Sequence, residues 1–167
     1  MKNSIETERL VLNHLTLNDA DFIFELVNTS EWKTFIGERN VNKIEDAKTY
    51  IQKLIDNPNI NYWVVKLKDN ETSIGIITFI KRDYLEHHDI GFAFLPRYTK
   101  QGYAYEATAA VLNEVTKDPA HNHVLATTLK ENINSIQLLK KLSFEFEKEF
   151  KTDNEVLLLY SNQPGKE

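Results

Sequence analysis

A glycine at the start of an expected helix is the residue best suited to binding chemistry in this chain. Residues 87–95 have the character of a strand, and a short loop with Arg97 and Lys100 leads from it to Gly102. An alanine-rich helical pattern follows. The first N–H groups of a helix lack internal partners and carry partial positive charge, and a glycine lets an anion approach them closely. This order of elements predicts a phosphate or pyrophosphate site.

The spacing alone does not identify the phosphate ligand. The sequence lacks the Gly-x-x-x-x-Gly-Lys-Ser/Thr pattern of nucleotide-binding P-loops and the Gly-x-Gly-x-x-Gly pattern of dinucleotide-binding folds. A loop glycine with no ligand is an equally good interpretation at this point.

Histidines are the other residues whose type suggests chemistry. They occur as His87-His88 and as His121-x-His123, and the chain contains no cysteine. Without cysteine and without a His-Glu-x-x-His helix they form no recognisable zinc motif, so we expect loop histidines and no metal site. The lack of cysteine also excludes disulfides and a cysteine nucleophile.

A single mixed α/β (α+β) domain over residues 1–167 is expected to position these residues. Helical spacing of apolar residues and runs of β-branched and aromatic residues predict four helices and seven strands. The predicted helices cover about 19–27, 42–57, 103–117 and 133–142, and the strands 9–15, 62–67, 74–80, 87–95, 124–129, 144–150 and 156–160. We expect a mostly antiparallel sheet with one central parallel βαβ unit, formed by the strands on either side of the third helix.

Two local features are also predicted. Residues 29–41 have few periodic positions and are expected to be irregular, and Asn42 with Glu45 resembles a capping box for the second helix.

Composition bounds the class of protein. The chain has 167 residues, of which 41% are hydrophobic and 27% charged, as in ordinary globular proteins. A net charge of -5 argues against a general nucleic-acid partner, and no apolar run approaches membrane-spanning length. With no cysteine and no apolar leader at the start, we expect a cytoplasmic protein. The sequence does not determine the oligomeric state, and a monomer and a homodimer both remain open.

Three segments carry motifs in a characteristic order. Residues 99–104 fit the pattern Gln/Arg-x-x-Gly-x-Gly/Ala except at the first position, and Glu106-Ala107 follows them. Downstream, Asn132-x-x-Ser135 precedes a leucine-rich turn and Ser143-Phe144. Together with Thr7-Glu8-Arg9-Leu10 near the start, these segments resemble the GNAT superfamily of N-acetyltransferases, and specifically its RimJ/RimL-like branch, over nearly the whole chain.

The resemblance implies a GNAT-like fold and acetyl-CoA as the co-substrate. The pyrophosphate would lie on backbone amides at the helix start. The pantetheine arm would lie in a gap between the strands 87–95 and 124–129, pairing with exposed backbone. The residues so implied in cofactor binding are Ala93, Phe94, Leu95, Thr99, Lys100, Gln101, Gly102, Tyr103, Ala104 and Asn132.

Two positions depart from the family pattern. Thr99 stands where Gln or Arg is usual, so we expect backbone amides to hold the phosphates, with Arg97 and Lys100 as auxiliary charge. Ser143 replaces the usual glycine before Phe144, which predicts a less demanding backbone at that turn.

The resemblance also implies transfer of an acetyl group to an amine, and without cysteine the simplest route is direct. An amine attacks as its free base, so a general base or a water relay helps. Asp89 is the predicted base or amine-orienting group; a solvated carboxylate at a strand end is the alternative, and His88 is a minor candidate. Ser135 is the predicted donor to the leaving thiolate, unless its hydroxyl bonds its own helix backbone.

The acceptor is not specified by the sequence. Specificity is expected to lie in residues 29–41 and 82–88, where Trp32 and Phe35 either line a pocket or pack in the core. A protein N-terminus and a small-molecule amine both remain open, and a non-catalytic acyl-CoA-binding module on the same fold is the alternative function.

Overall fold

The computed structural model describes residues 4–163, which form one eight-stranded sheet with helices on both faces. The strands are β1 (Ser4–Glu6), β2 (Leu10–His14), β3 (Ile60–Leu67), β4 (Ser73–Ile80), β5 (Asp89–Phe94), β6 (Leu125–Thr128), β7 (Glu145–Lys151) and β8 (Val156–Ser161). The helices are α1 (Ala20–Val27), α2 (Ser30–Phe35), α3 (Ile44–Asp56), α4 (Tyr103–Val115) and α5 (Ile133–Lys141). Single 3-10 turns cover Leu17–Asp19, Pro96–Tyr98 and Pro119–His121.

The order of the strands confirms the predicted mixed sheet. Across the sheet they run β1-β2-β3-β4-β5-β6-β8-β7, and all neighbours are antiparallel except β5 and β6, which are parallel. Helix α4 joins these two strands, as predicted. The predicted counts were wrong, because residues 4–163 contain eight strands and five α-helices rather than seven and four.

The two elements that sequence reasoning missed are both short. Strand β1 has three residues, too few to show alternation, and is held by pairing with β2, where Ile5 lies opposite Leu12. Helix α2 has six residues and buries only Trp32, so it shows no apolar face. Thr29 caps this helix by accepting a hydrogen bond from the N–H of Trp32.

The predicted capping box of α3 was wrong. Lys43 occupies the N-cap position and no side chain of residues 4–163 caps the helix. The N–H of Asn42 instead donates to the Asp46 carboxylate at 3.0 Å. The chain therefore enters α3 one residue later than predicted.

The turn after α5 also corrects an expectation. Ser143 has a φ of +69°, in the left-handed region that glycine favours, so the turn is as demanding as the usual glycine implies. The N–H of Phe144 donates to the Leu139 carbonyl at 2.9 Å, and Phe144 is buried. The turn therefore keeps its conformation at a cost in backbone strain.

Apolar side chains fill both faces of the sheet because successive strand residues point in opposite directions. Trp63 and Val65 of β3 pack against α4 and α5, whereas Val64 packs against α1 and α3. Helix α4 presents residues four apart to the first of these cores: Ala107, Val111 and Val115. Within residues 4–163, no helix combines the length and apolar character needed to cross a membrane.

Strands β5 and β6 separate almost as soon as they meet. Their only registered pair is Asp89 with Leu125, and the N–H of Leu125 donates to the His88 carbonyl at 3.0 Å. In contrast, β5 pairs with β4 along its whole length, from Asp89 to Phe94. The sheet therefore contains a wedge-shaped gap on the far side of β5.

Candidate active site

A cleft of about 620 Å³ opens at the gap between β5 and β6. One half is bordered by the start of α4 and by α5, and the other half by α2 and the strands β3 and β4. The first half is lined by Thr99, Lys100, Gly102, Ala104, Asn132, Ser135 and Lys141, and the second by Trp32, Arg39, Tyr62, Thr78, Arg82, Tyr84 and Asp89.

The start of α4 is built as an anion site. Gly102 is the N-cap residue with a φ of +83°, and no side chain of residues 4–163 caps the helix. The first intrahelical bond runs from the N–H of Glu106 to the Gly102 carbonyl at 3.0 Å, so the preceding amides of the first turn have no helical acceptor. These N–H groups can bind a phosphate.

Arg9 braces this helix start, and sequence reasoning did not assign it a role. Its backbone N–H and its Nε donate to the Glu106 carboxylate at 2.9 and 2.7 Å, and its Nη1 donates to the Gln101 carbonyl at 3.0 Å. The Thr7 hydroxyl donates to the same carboxylate. A β-carbon placed on Gly102 would lie 3.2 Å from Arg9 Nη2. A guanidinium therefore stands beside the candidate phosphate site.

The Glu106 carboxylate is held in its charged form by these contacts. Burial raises its pKa, but the hydrogen bonds from Thr7 and Arg9 outweigh burial, and the pKa lies below its ordinary value. The Arg9 guanidinium also covers the Tyr103 ring at 4.3 Å. Only the match of Thr7-Glu8-Arg9 to a family motif could have suggested Arg9, because nothing local in the sequence links it to Glu106.

Arg97 does not supply the auxiliary charge that we expected of it. Its Nη1 donates to Glu25 on α1 at 2.9 Å, and it does not line the cleft. The Thr99 hydroxyl donates to the Pro96 carbonyl at 2.7 Å. Lys100 lines the cleft and has a φ of +62°.

The residues predicted to bind the cofactor mostly border the cleft. Those on its surface are Ala93, Phe94, Thr99, Lys100, Gly102, Ala104 and Asn132. Among the described residues, Leu95, Gln101 and Tyr103 are not part of the lining.

The hydrogen-bonding register of β5 with β4 determines which backbone amides of β5 face the gap. The N–H of Leu95 donates to the Ile74 carbonyl of β4 at 2.9 Å, and the register with β4 is regular. Backbone groups of an antiparallel strand point alternately to its two neighbours. Ala93 and Leu95 therefore face β4, while the backbone groups of Phe92 and Phe94 face the gap.

Asn132 and Ser135 meet at the start of α5. Asn132 is the N-cap residue, and its Oδ1 accepts a hydrogen bond from the N–H of Ser135 at 3.3 Å. The Ser135 hydroxyl has no hydrogen bond to any other residue in 4–163, and both side chains line the cleft. The hydroxyl is therefore available to a ligand and is not bound to its own helix.

Asp89 lies at the closed end of the gap and is 3% exposed. Its Oδ2 accepts a 2.8 Å hydrogen bond from Arg82 Nε, while its buried Oδ1 has no partner within residues 4–163. Burial raises the pKa of Asp89, and the Arg82 guanidinium opposes that rise without cancelling it. The alternative of a solvated carboxylate at a strand end was therefore wrong.

The two predicted catalytic residues stand at different depths of one cleft. Asp89 begins β5 and pairs with the beginning of β6, whereas Ser135 follows the carboxyl end of β6. Asp89 and Phe94 are five residues apart on an extended strand, a distance of about 17 Å. Asp89 and Ser135 are thus suited to separate proton-handling roles rather than to one hydrogen-bonded pair.

The histidines gather away from the cleft. His88 stacks on Phe79 at 4.6 Å and meets His121 edge-on at 4.7 Å, and His87 stacks on His123 at 4.2 Å. Burial, with help from His121 and Lys81, lowers the pKa of His88. In the described part of the chain no group of three or more His, Asp or Glu side chains could hold a metal ion, and no histidine lines the cleft.

Comparisons with known proteins agree with this geometry. Residues 9–145 match the family described as the acetyltransferase (GNAT) domain. The uncharacterized N-acetyltransferase YnaD of Bacillus subtilis is 33% identical to this chain, over 88% of the chain and 85% of YnaD.

Solved structures of acetyltransferases share the fold. A GNAT-family acetyltransferase from Bacillus anthracis is 26% identical, with a TM-score of 0.79 and coverage of 95% of this chain and 96% of that one. RimL, a ribosomal L7/L12 α-N-protein acetyltransferase solved in complex with coenzyme A, has a TM-score of 0.83 at 13% identity, with the same coverage of both chains. The second likeness concerns the fold alone.

Proposed function

The chain belongs to the GNAT family of acetyltransferases, and from that premise we propose that it moves an acetyl group from acetyl-CoA directly to a primary amine. The observation that carries the proposal is that an uncapped helix start and an unpaired strand edge open into one cleft. The first can hold the pyrophosphate of CoA, and the second can hold its pantetheine arm, the extended amide chain that ends in the thiol.

The residues at the helix start fit the charged part of this co-substrate. The free amides of the first turn of α4 would hold the pyrophosphate, and the left-handed Gly102 keeps their approach clear of side chains. Arg9 would keep the loop before the helix in place through Gln101 and Glu106. When bound, acetyl-CoA supplies a thioester whose acetyl group is already activated for attack by an amine.

The strand edge fits the pantetheine arm. The backbone groups of Phe92 and Phe94 face the gap, and each can exchange hydrogen bonds with an amide of the arm. Asn132 lines the same passage, with its Oδ1 used for capping and its Nδ2 left to donate. These contacts would bring the thioester towards the middle of the cleft.

Proton transfer is assigned to one residue from each half of the cleft. Asp89 has a raised pKa and an unpaired Oδ1, so it can take a proton from the attacking amine through water. The Arg82 guanidinium fixes the carboxylate in one orientation. The Ser135 hydroxyl can donate a hydrogen bond to the sulfur as the thiolate leaves.

The test is release of free thiol from acetyl-CoA on addition of acceptor peptides and small amines. We expect Ser135→Ala and Asp89→Asn to lower kcat while CoA still raises the melting temperature of each variant. The exposed turn residue Asp69 provides a matched control, because Asp69→Asn changes the same chemical group outside the cleft.

Two results would contradict the proposal. Stabilisation by CoA with no thiol release across the panel would indicate a non-catalytic acyl-CoA-binding module. An unchanged melting temperature with CoA would show that the cleft does not hold this co-substrate.

A further inference from the structure

Arg39 brings an unpaired cation into the second half of the cleft, which is bordered by α2, β3 and β4 and which the acceptor would occupy. It lies between α2 and α3, is partly buried and lines the cleft opposite the α4 start. Its guanidinium carbon is 5.6 Å from the centre of the Trp32 ring, which orients it without using its N–H groups. Within residues 4–163 the Arg39 guanidinium has no ion pair and no hydrogen bond, whereas its backbone N–H bonds to the Glu38 carboxylate.

Arg82 approaches the same region from the segment between β4 and β5. Only its Nε is used, in the bond to Asp89, and its other two guanidinium nitrogens have no hydrogen-bond partner in residues 4–163. Both arginines act on the hydroxyl of Tyr62: burial raises the pKa of Tyr62 well above its ordinary value, and Arg39 and Arg82 each oppose that rise. Arg39, Arg82 and Tyr62 all line the cleft, so the two guanidinium groups and this phenol border the same space.

The local charge differs in sign from that of the whole protein. The partly buried Arg39 and Arg82 contribute two positive charges to the lining of this half, and the buried Asp89 contributes one negative charge. Glu31 and Glu155 also border the cleft but are exposed at its rim, where solvent and salt screen them. The buried and partly buried groups of this half therefore carry a net positive charge in a chain of net charge -5.

Apart from Asp89 Oδ1, the unused groups identified in this half are hydrogen-bond donors. Besides the arginine N–H groups, the buried Trp32 Nε1 has no partner within the described residues. Guanidinium groups match carboxylates in geometry as well as in charge, whereas they repel polycations. Aromatic and aliphatic side chains of Phe35, Tyr62, Ile80 and Tyr84 also line this half.

We infer that the acceptor is a primary amine that also bears a carboxylate, held between Arg39 and Arg82, rather than a polyamine or an aminoglycoside. The inference rests on the proposed acetyl transfer and deepens it by giving the acceptor a chemical class. The carboxylate belongs either to an amino acid's own α-carbon or to an acidic side chain near a peptide N-terminus.

The test uses acceptor pairs that differ by one carboxylate. Alanine is compared with alaninamide for the α-carboxylate, and Ser-Asp amide with Ser-Asn amide for a side-chain carboxylate. Spermidine serves as the polycation. Rates are expressed per concentration of free amine, because a neighbouring carboxylate raises the amine pKa. We expect the carboxylate member of at least one pair to have a kcat/KM at least about tenfold above its amide.

Substitution of Arg39 tests whether this residue causes the preference for the acceptor with a carboxylate. Arg39→Gln is expected to lower kcat/KM for the carboxylate member about tenfold or more and to bring the ratio within the pair close to one. Lys53→Gln is the matched control, since it removes an exposed cation from α3 outside the cleft, and it should preserve the ratio.

The outcomes separate this inference from the proposed function. If thiol is released but the amides or spermidine react as fast as the carboxylates, the inference is overturned and the transferase stands. If no amine reacts, the inference is tested by the melting temperature of the CoA-saturated protein, measured with each member of an acceptor pair. A larger rise with the carboxylate member, lost in Arg39→Gln, supports the inference although transfer fails, and an equal rise within each pair overturns it.

Discussion

Arg82 Nε donates a 2.8 Å hydrogen bond to Asp89 Oδ2 at the point where β5 and β6 meet, and the other oxygen of that carboxylate is buried without a partner in residues 4–163. One guanidinium thus holds the candidate base and keeps two nitrogens for the acceptor. Proton removal and acceptor binding therefore share a residue, so a change at Arg82 would alter both. Arg39 and Asp89 allow the two roles to be tested apart.

The raised pKa of Asp89 predicts the pH dependence of the rate. The carboxylate acts as a base only when it is charged, so kcat/KM should fall as the pH falls through its pKa. Because burial raises this pKa, the fall should occur above about pH 4, the range of ordinary aspartates. A pH–rate profile with rates expressed per concentration of free amine should show this acid limb in the wild type and lack it in Asp89→Asn. An identical limb in both would remove Asp89 from the mechanism.

The raised pKa of Asp89 also predicts how the folding stability depends on pH. The folded-state pKa of Asp89 lies above the unfolded value, so between the two values the folded protein binds more protons. The stability of the wild type relative to Asp89→Asn should therefore be greatest below about pH 4 and fall as the pH rises through the folded pKa. Urea unfolding of both proteins across this range measures the difference, and parallel curves would contradict the assignment.

The start of α4 can be tested with two side chains of nearly equal shape. At a φ of +83° both Gly102→Asp and Gly102→Asn are strained, although Asn and Asp tolerate the left-handed region better than most residues. Only Asp adds a charge that repels phosphate. We expect CoA to raise the melting temperature of the Asn variant but not of the Asp variant. Equal rises in both would show that no phosphate binds at this helix start.

Arg9 and Arg97 provide a matched pair for the loop before α4. Arg9→Gln breaks the contacts to Glu106 and Gln101, so we expect the Kd for CoA to rise about tenfold. Arg97→Gln removes an exposed ion pair with Glu25, and exposed pairs contribute little. Its Kd should stay within about twofold of the wild type. Calorimetric titration with CoA gives both values, and equal losses would show that the bracing by Arg9 has no special effect.

Strain at Ser143 predicts a stabilising substitution. Ser143→Gly should raise the free energy of unfolding by about 0.5–1 kcal/mol, because relief of the left-handed strain exceeds the entropy that glycine loses on folding. The melting temperature should rise by about 2 °C. Ser143→Ala keeps the strain and should give no gain. A lower stability of the glycine variant would refute the strain argument.

The sequence predicted the elements that have a clear period and the site residues within a few positions of a motif. Helix α4 and the parallel pair around it were found because Gly102 and the alanine-rich face follow a strand directly. The backbone of β5 was assigned to the gap, but only the register with β4 shows that Phe92 and Phe94, rather than Ala93 and Leu95, face it.

What could not be predicted depends on contacts between distant parts of the chain. Arg9 reaches Glu106 across 97 positions, and no local pattern encodes such a pair. Burial of Asp89 and the presence of Arg39 and Arg82 in the lining of one cleft likewise arise only from the tertiary fold. The left-handed turn at Ser143 persisted without glycine because the packing of Phe144 determines it.

The single pairing of Asp89 with Leu125 joins two parts of the eight-stranded sheet, the five strands β1–β5 and the three strands β6–β8. On the proposed function, the pantetheine arm occupies the gap as a further strand would. Its hydrogen bonds then connect the two parts of the sheet. The folded state then gains free energy with ligand concentration, about 2.7 kcal/mol at one hundred times the Kd. The protein would accordingly resist proteolysis for longer when CoA is abundant. Molecules without bound CoA would be degraded sooner than CoA-bound molecules.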